Sequence, residues 1–444
     1  MELKKEYLEE LKEKFNSDRA NKIAQYAATT NGIEKAALNN EKTDGKVFSF
    51  NIEVKQGKIT DQKRSGRCWM FASLNVMRNK IIKKYNLKTF ELSQSYPLFF
   101  DKLERANYFL NSILKTLDEE LTGRLVSHLL TDLMGDGGQW DMFKNIVNKY
   151  GVVPKYAFEE SENSSNTTAL NNFLKKLLRR NAFLLRDAHE NGKSKEELEK
   201  MIEDFMKEIY NVLSISLGTP PTKINFEAVD KDDNHISYKN LTPQEFFKNF
   251  VEMDTNDYIS IINAPTKDKP FNETYTVKFL GNVIEGDPVK YINLDIKEFK
   301  KAALKQLQGG EPVWFGCDVG QFFYRAGYNL DLNTLKADEL FNVDFKLNKS
   351  QRLDYHESLM THAMVFTGVE YDEKNDKTLR WKVENSWGKD SGHDGYLVMS
   401  DEWFDEYMYQ ILINKKYLTQ ETIENFKKAP KELEPWDPMG SLAK

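Results

Sequence analysis

The chain of 444 residues is 40% hydrophobic and 12% aromatic, which is enough for one large or several ordinary packed domains. Its net charge of −6 argues against nucleic-acid binding, which needs clustered Lys and Arg. Two cysteines cannot form a disulfide framework, so a reducing compartment is expected. The N-terminus lacks the apolar core of a signal peptide, and no window approaches the ~20 apolar residues of a membrane span. We therefore expect a cytoplasmic protein without membrane contact.

Hydrophobic periodicity predicts a largely helical first half and a final third rich in strands. Helices are predicted over 3–15, 19–38, 68–85, 96–110, 141–150, 169–213 (as a hairpin) and 296–308. Strands are predicted over 47–54, 312–317, 363–369, 379–384 and 395–399. Residues 161–168, rich in Ser, Asn and Thr, are expected to form a surface linker.

Cys68 lies where a polar loop containing glycine gives way to an apolar helix. The N-terminus of a helix carries roughly half a positive charge, which favours a thiolate over a thiol. A thiolate at this position would suit nucleophilic catalysis. Taken alone, the residue fits equally well as a small buried apolar side chain, since free cysteines are often buried.

His362 and Asn385 flank two predicted strands that are joined by a polar turn at 371–377. The midpoint between the two residues falls inside that turn. Residues equidistant from the turn of a simple antiparallel hairpin face each other, so the two side chains are predicted to be direct cross-strand neighbours. The Asn oxygen could accept the imidazole N–H and fix the ring's tautomer. Trp387 is close enough in sequence to shield this bond from water.

A cysteine at a helix N-terminus together with a His–Asn pair is the arrangement of papain-like cysteine peptidases. In such a site, the side-chain N–H of Gln62 and the backbone N–H of Cys68 would form the oxyanion hole. Within that superfamily, the sequence resembles the bleomycin hydrolase and aminopeptidase C family over essentially the whole chain. The resemblance rests on residues 62–72, 92–94, 135–140, 312–313, 361–364, 384–388, 392–396 and 435–444.

The resemblance implies an α+β, papain-like cysteine protease fold, with a helical half, a β-barrel-like half, and large helical and mixed insertions. His362 follows Cys68 at much more than the roughly 130–150 residues usual in papain-type enzymes, so the excess is assigned to insertions. We expect the N-terminal part of the catalytic domain over 1–154 and an inserted helical, hook-like region over 155–300. A β-rich half carrying the His and Asn is expected over 301–430, and a C-terminal arm in the active-site cleft over 431–444.

The same resemblance implies a cytoplasmic aminopeptidase that acts on short peptides with a free N-terminus and needs no metal or other cofactor. Gly137 and Gly138 would hydrogen-bond the substrate backbone near its second residue. The arm would block endopeptidase binding, and the terminal carboxylate of Lys444 would meet the substrate's α-amino group. If self-cleavage removes the last residue, that carboxylate belongs to Ala443. The family implies a homohexamer with its active sites facing an internal channel.

Two other functions are weighed against this one: a nucleic-acid-binding or scaffolding protein with a protease-like body, and a plain endopeptidase. Among single residues, His128 is interpreted as a structural histidine on an apolar helix, and Cys317 as an inert thiol in a buried strand. The spacing of His356 and His362 does not match the zinc-binding His-Glu-x-x-His pattern. Residues 135–138 lack the strand and helix context of a phosphate loop.

Overall fold

The computed structural model describes residues 1–39, 47–131, 133–325 and 327–443. Its α-helices are α1 Lys5–Ser17, α2 Arg19–Asn31, α3 Ile33–Ala36, α4 Cys68–Lys84, α5 Ser95–Lys115, α6 Arg124–Thr131, α7 Trp140–Tyr150, α8 Glu162–Ser165, α9 Thr168–Glu190, α10 Lys195–Leu217, α11 Pro243–Phe246, α12 Ile296–Gln308, α13 Ala337–Phe341, α14 Lys349–Asp354, α15 Asp401–Tyr407 and α16 Gln420–Lys427. Its strands are β1 Ile52–Glu53, β2 Ile224–Val229, β3 His235–Leu241, β4 Tyr258–Ile262, β5 Thr274–Val277, β6 Tyr291–Asn293, β7 Val313–Cys317, β8 Phe323–Tyr324, β9 Asn329–Leu330, β10 His362–Asp372, β11 Lys377–Glu384, β12 Tyr396–Ser400, β13 Met408–Asn414 and β14 Lys431–Leu433.

One large sheet carries the second half of the chain. Within the described ranges its order is β14-β5-β6-β4-β13-β7-β10-β11-β12-β9-β8, with β1 added to β10, while β2 and β3 form a separate hairpin. The central strand β7 is buried at every residue, and β10 at its first eight residues, because both faces of the sheet are covered there. The first residue of β10, His362, therefore stands at the end of a central, well-supported strand.

Helix α4 is buried along almost its whole length and packs against β10 and β7. It contains no Gly or Pro, and large apolar side chains such as Trp69, Phe71 and Met77 are fully buried. Each such side chain contributes roughly 1.5–3 kcal/mol when it leaves water. The indole N–H of Trp314 on β7 also donates to the Trp69 carbonyl at 3.2 Å. These contacts fix the helix end that carries Cys68 against the sheet.

The predicted helical hairpin is confirmed as α9 and α10. Its inner face is a row of leucines at helical spacing, among them Leu174, Leu178 and Leu185. The second helix begins at a capping box in which Ser194 and Glu197 satisfy each other's backbone N–H groups.

Two local predictions are wrong. The strand expected over 47–54 is reduced to β1. Before β1, the Asn51 side chain takes the place of a backbone ladder: its amide nitrogen donates to the Tyr371 carbonyl at 2.8 Å, and its amide oxygen accepts from the Tyr371 N–H at 2.9 Å. Residues 161–168 are not a surface linker. They include α8, which is capped by Ser161, and the Ser164 side chain is fully buried. Short polar side chains there satisfy the backbone within the protein.

The division at residues 155 and 300 stays a prediction. Strands β4, β5 and β6 come from that stretch and pair within the same sheet as β10, so its later part is continuous with the sheet that carries His362. In the part of the chain that the structure describes, no helix has both the length and the apolar character needed to cross a bilayer.

Candidate active site

The Cys68 thiol lies at the first residue of α4 and is completely buried. Burial raises the pKa of Cys68 to about 12, and the backbone N–H groups of Ala363, Trp69 and Cys68 itself oppose that rise by donating toward the sulfur. Two of these donors belong to the helix N-terminus, as the sequence predicts. The third belongs to the residue after His362, so the sulfur lies beside the start of β10.

The imidazole of His362 is hydrogen-bonded to Asn385, with 3.0 Å between Nε2 and the amide oxygen Oδ1. An amide oxygen can only accept, so Nε2 carries the proton and Nδ1 is the basic nitrogen of the neutral ring. The Ser386 backbone N–H donates to the same oxygen at 2.8 Å, which fixes the orientation of the amide. Trp387 covers this pair, with its ring centroid 4.9 Å from that of His362.

The predicted contact between His362 and Asn385 is present, but the predicted register is wrong. β10 and β11 pair with Val365 opposite Glu384, and two bulges interrupt the ladder, so Asn385 lies beyond the last paired residue. The direct ladder partner of His362 is Cys317 on β7, the strand on its other side. The His–Asn bond is therefore a diagonal contact made past the end of β11.

Gln62 is buried beside this pair, and both ends of its amide are fixed. Its Nε2 donates to the Ser65 carbonyl at 2.6 Å, and its Oε1 accepts from the Ser386 hydroxyl at 2.6 Å. An amide nitrogen has two hydrogens, so one N–H is left to point at a developing oxyanion. Its backbone N–H also donates to the Ser386 carbonyl at 2.8 Å. The loop before Cys68 is thus bound to the residue that follows Asn385.

Residues 135–138 form a loop that closes over Trp69. Asp136 holds it in place: its carboxylate accepts from the Gly66 backbone at 2.9 Å, from Lys102 at 2.7 Å and from the Thr167 hydroxyl. Burial alone would raise the pKa of Asp136, but the Lys102 ammonium and the hydrogen bonds outweigh it and hold the pKa below its ordinary value. The carboxylate is therefore ionised, and it links this loop to the one that carries Cys68.

Gly138 lies at the closest approach of this loop to α4. A Cβ there would lie 2.4 Å from the Trp69 ring, so only glycine fits. The Trp69 indole N–H donates to the Asp136 carbonyl at 2.6 Å. The neighbouring Gly137 carbonyl accepts from Arg105 at 2.9 Å. The two glycines predicted to bind substrate therefore lie in a loop that is hydrogen-bonded by Trp69 and by Arg105.

Residues 438–443 enter this site from the C-terminus. The Gly138 backbone N–H donates to the Ala443 carbonyl at 3.1 Å in an isolated antiparallel bridge, and Ala443 is fully buried. The Gln139 amide nitrogen donates to the carbonyls of Met439 and Ser441, at 3.1 and 2.9 Å. Lys444, the other predicted carboxylate bearer, lies outside the described residues.

Other residues singled out from the sequence have different surroundings. Cys317 is buried in β7, as predicted, and burial raises the pKa of its thiol. His128 is exposed rather than held in a core, and its ring faces Trp436 at 6.1 Å. Within the described ranges, no group of three or more His, Cys, Asp or Glu side chains is arranged to hold a metal ion.

Sequence reasoning missed the side chains that anchor the site. Arg67 is fully buried and binds both carboxylate oxygens of Glu160, at 3.0 and 2.8 Å. Arg78 on α4 pairs with the buried Glu384, which directly precedes Asn385, at 2.5 Å. These partners are remote in sequence, and the only available signal was the placement of charged residues in otherwise apolar segments.

Comparison with known proteins shows a match along nearly the whole chain. A model of the Peptidase C1-like family matches residues 2–440. The chain belongs to this family. Aminopeptidase C of Lactobacillus delbrueckii subsp. lactis is 46% identical over 424 residues, which are 95% of this chain and 94% of that protein. Bleomycin hydrolase of Rattus norvegicus is 42% identical over 449 aligned residues, which cover 99% of each protein.

The family's fold is also shared. The crystal structure of PepW from Lactobacillus rhamnosis is 46% identical, superposes with a TM-score of 0.97, and covers 100% of this chain and 99% of its own. The α+β papain-like fold and the resemblance to the aminopeptidase C and bleomycin hydrolase family are thereby confirmed.

Proposed function

We propose that this cysteine aminopeptidase releases N-terminal residues from short peptides, with Cys68, His362 and Asn385 as its catalytic residues. Membership of the Peptidase C1-like family and the 42–46% identity to aminopeptidase C and bleomycin hydrolase support the reaction class. The observation that carries the exopeptidase assignment is the bridge between Gly138 and Ala443. It sets the end of the chain into the cleft where a longer substrate would extend.

The chemistry begins with proton transfer from the Cys68 thiol to Nδ1 of His362. The helix N-terminus and the new imidazolium stabilise the thiolate, which lowers its pKa from the high value that burial imposes. The sulfur attacks the carbonyl carbon of the first residue. The oxyanion accepts from the Gln62 side chain and the Cys68 backbone N–H.

His362 then protonates the leaving amine, and the C–N bond breaks to leave an acyl-enzyme. Water attacks the thioester and gives its proton to His362. The C–S bond breaks, and the proton returns to Cys68. Throughout, the bond to Asn385 keeps the ring in the tautomer that presents Nδ1. No step calls for a metal or an organic cofactor.

The arm decides which peptides reach Cys68. Donors that hold its end include the Gln139 amide, the Gly138 backbone and the Tyr291 hydroxyl, the last 3.0 Å from the Met439 carbonyl. The Ser441 hydroxyl donates in turn to the Met360 carbonyl at 2.7 Å, close before His362. The terminal carboxylate, on Lys444 or on Ala443 after self-processing, would pair with the substrate's α-ammonium group. An N-blocked peptide lacks that charge.

The family likeness further suggests a cytoplasmic homohexamer that admits only peptides. The surface of α1 supports self-association, because none of its residues is buried and the side chains of Tyr7, Leu8, Leu11 and Phe15 are exposed. An apolar helix face of this size is suited to packing against a second copy of the chain. Size measurement by light scattering tests this part: a monomer would contradict it.

Truncation tests the function. A variant lacking residues 441–444 is compared with the intact enzyme on leucyl-aminomethylcoumarin and on N-acetyl-Phe-Arg-aminomethylcoumarin. We expect the intact enzyme to cleave the free amine far faster than the blocked peptide, and the truncated enzyme to lose the first activity and gain the second. Cys68→Ala is the control and should lack both. An unchanged ratio of the two activities after truncation would refute the role of the arm.

A further inference from the structure

Arg325 lies close to the proposed catalytic histidine and has no carboxylate partner among the residues that the structure describes. Strands β8 and β9 form a short hairpin, with Phe323 opposite Leu330, and Arg325 lies in its turn. The Phe323 ring lies 6.0 Å from the ring of Trp387, centroid to centroid, and Trp387 itself covers His362. The hairpin therefore presents its turn at the edge of the proposed active site.

The guanidinium of Arg325 lies close to both of these rings. Its Cζ is 5.7 Å from the Phe323 centroid and 6.0 Å from the Trp387 centroid, within the range of cation–π attraction. Among the described residues it forms no ion pair, and its side chain is exposed. Such stacking limits the freedom of the side chain while leaving its N–H donors available.

One acidic side chain on this side, that of Asp61, is paired with a lysine. Asp61, which bridges to Trp387 through its backbone, has its carboxylate 2.6 Å from the Lys63 ammonium. Asp390 is a further exposed carboxylate, and it also acts on Lys63. The charge of Arg325 is therefore left for a ligand.

The position of Arg325 relative to the reaction identifies that ligand. The arm occupies the Gly138 side of the cleft, and the leaving peptide must pass beside His362, which protonates its amine. The His362 ring is 4.9 Å from the Trp387 ring, which is 6.0 Å from the Arg325 guanidinium. The guanidinium is therefore at most about 11 Å from the His362 ring, the length of roughly three extended residues. A guanidinium at that range reaches groups one or two residues beyond the scissile bond.

We propose that Arg325 is a specificity-determining residue that binds a carboxylate of the leaving peptide, one or two residues after the scissile bond. This inference rests on the proposed aminopeptidase function. The carboxylate is either the C-terminus of a di- or tripeptide or an acidic side chain at the same distance. Arginine suits it because its planar fork binds both carboxylate oxygens at once. If the C-terminus is the carboxylate used, the enzyme favours peptides that are nearly fully degraded.

The test compares kcat/KM for Leu-Gly-Gly, its C-terminal amide, and Leu-Glu-Gly amide, in the intact enzyme and in Arg325→Gln. The amide has the same chain but no carboxylate, and the third peptide carries it on a side chain. We expect the intact enzyme to prefer the free acid on the order of five-fold, as an exposed ion pair allows, mainly through KM. In Arg325→Gln this preference should fall to near unity. The third peptide shows which carboxylate is used.

Two controls make the result decisive. Lys389→Gln removes a neighbouring exposed charge and should keep the acid-over-amide preference, whereas Arg325→Lys should keep part of it. The preference should also weaken as NaCl screens the charge. An intact enzyme with no preference for the acid, or an equal preference in Arg325→Gln, overturns the proposal. Leucyl-aminomethylcoumarin has no carboxylate, so failure to cleave it would count against the aminopeptidase function instead.

Discussion

The contact between Tyr291 and the C-terminal arm offers a test of specificity that leaves the reacting groups untouched. Tyr291 is fully buried on β6, and burial raises the pKa of its hydroxyl, so it stays a donor at any working pH. The hydroxyl oxygen lies 2.7 Å from Oε1 of Gln139 and 3.0 Å from the Met439 carbonyl. Tyr291→Phe removes this donor and keeps the ring.

The expected size of the effect follows from these two acceptors. Loss of one neutral hydrogen bond costs about 0.5–1.5 kcal/mol, and the Met439 carbonyl keeps the Gln139 amide N–H, 3.1 Å away, as its remaining donor. The part of this cost that falls on Gln139 is the same in the docked and the undocked state, so it does not change arm docking. The part that falls on the Met439 carbonyl disappears when the arm undocks, because water then hydrogen-bonds that carbonyl. Arm docking should therefore weaken by about 1 kcal/mol, which raises the undocked fraction roughly five-fold.

The assay is the rate on N-acetyl-Phe-Arg-aminomethylcoumarin divided by the rate on leucyl-aminomethylcoumarin. Tyr291→Phe should raise this ratio about five-fold. Tyr96→Phe is the matched control, because its buried hydroxyl also donates to a backbone carbonyl, that of Tyr150, at 3.0 Å, away from the arm. If both variants leave the ratio unchanged, or both raise it equally, the arm does not set the specificity in the way described.

Three further substitutions test the site. Asn385→Ala should lower kcat/KM on leucyl-aminomethylcoumarin by roughly 10- to 100-fold with little change in KM, because the His362 tautomer is no longer fixed; a normal kcat would contradict this. Gly138→Ala should reduce aminopeptidase activity and lower the midpoint of thermal unfolding, since its Cβ would overlap the Trp69 ring. Asp136→Asn should destabilise the fold by about 3 kcal/mol in urea unfolding at pH 7. The folded-state pKa of Asp136 is depressed, so this stability is present above the ordinary value of 3.8 and is lost as the pH falls below it; a gap that persists at acid pH would argue against the ionised pair.

Much of this site follows from local pattern. The helix beginning at Cys68 is evident from its composition and from the loop before it. A symmetric hairpin predicts that His362 and Asn385 lie close together, and they do, but the observed register is different. The two bulges in the β10–β11 ladder depend on packing against neighbouring strands, and counting residues cannot reveal them.

The parts that could not be predicted depend on contacts between distant segments. Asp136 joins two loops and α5, and its partners lie 31–70 residues away in sequence. The need for glycine at position 138, in a loop, arises from Trp69 on helix α4. Arg325 matters only because a short hairpin sets it beside Trp387. Burial and long-range pairing decide these roles, and neither leaves a periodic trace in the sequence.

The central claim is that Cys68 is the nucleophile of an aminopeptidase. Its most direct test is the steady-state hydrolysis of leucyl-aminomethylcoumarin by the intact enzyme and by Cys68→Ala, with folding of the variant checked by circular dichroism. The intact enzyme should cleave the substrate, and the variant should lose at least about 1,000-fold in kcat, since the proposed acyl-enzyme forms on the Cys68 sulfur. A folded Cys68→Ala enzyme with undiminished kcat would contradict the account.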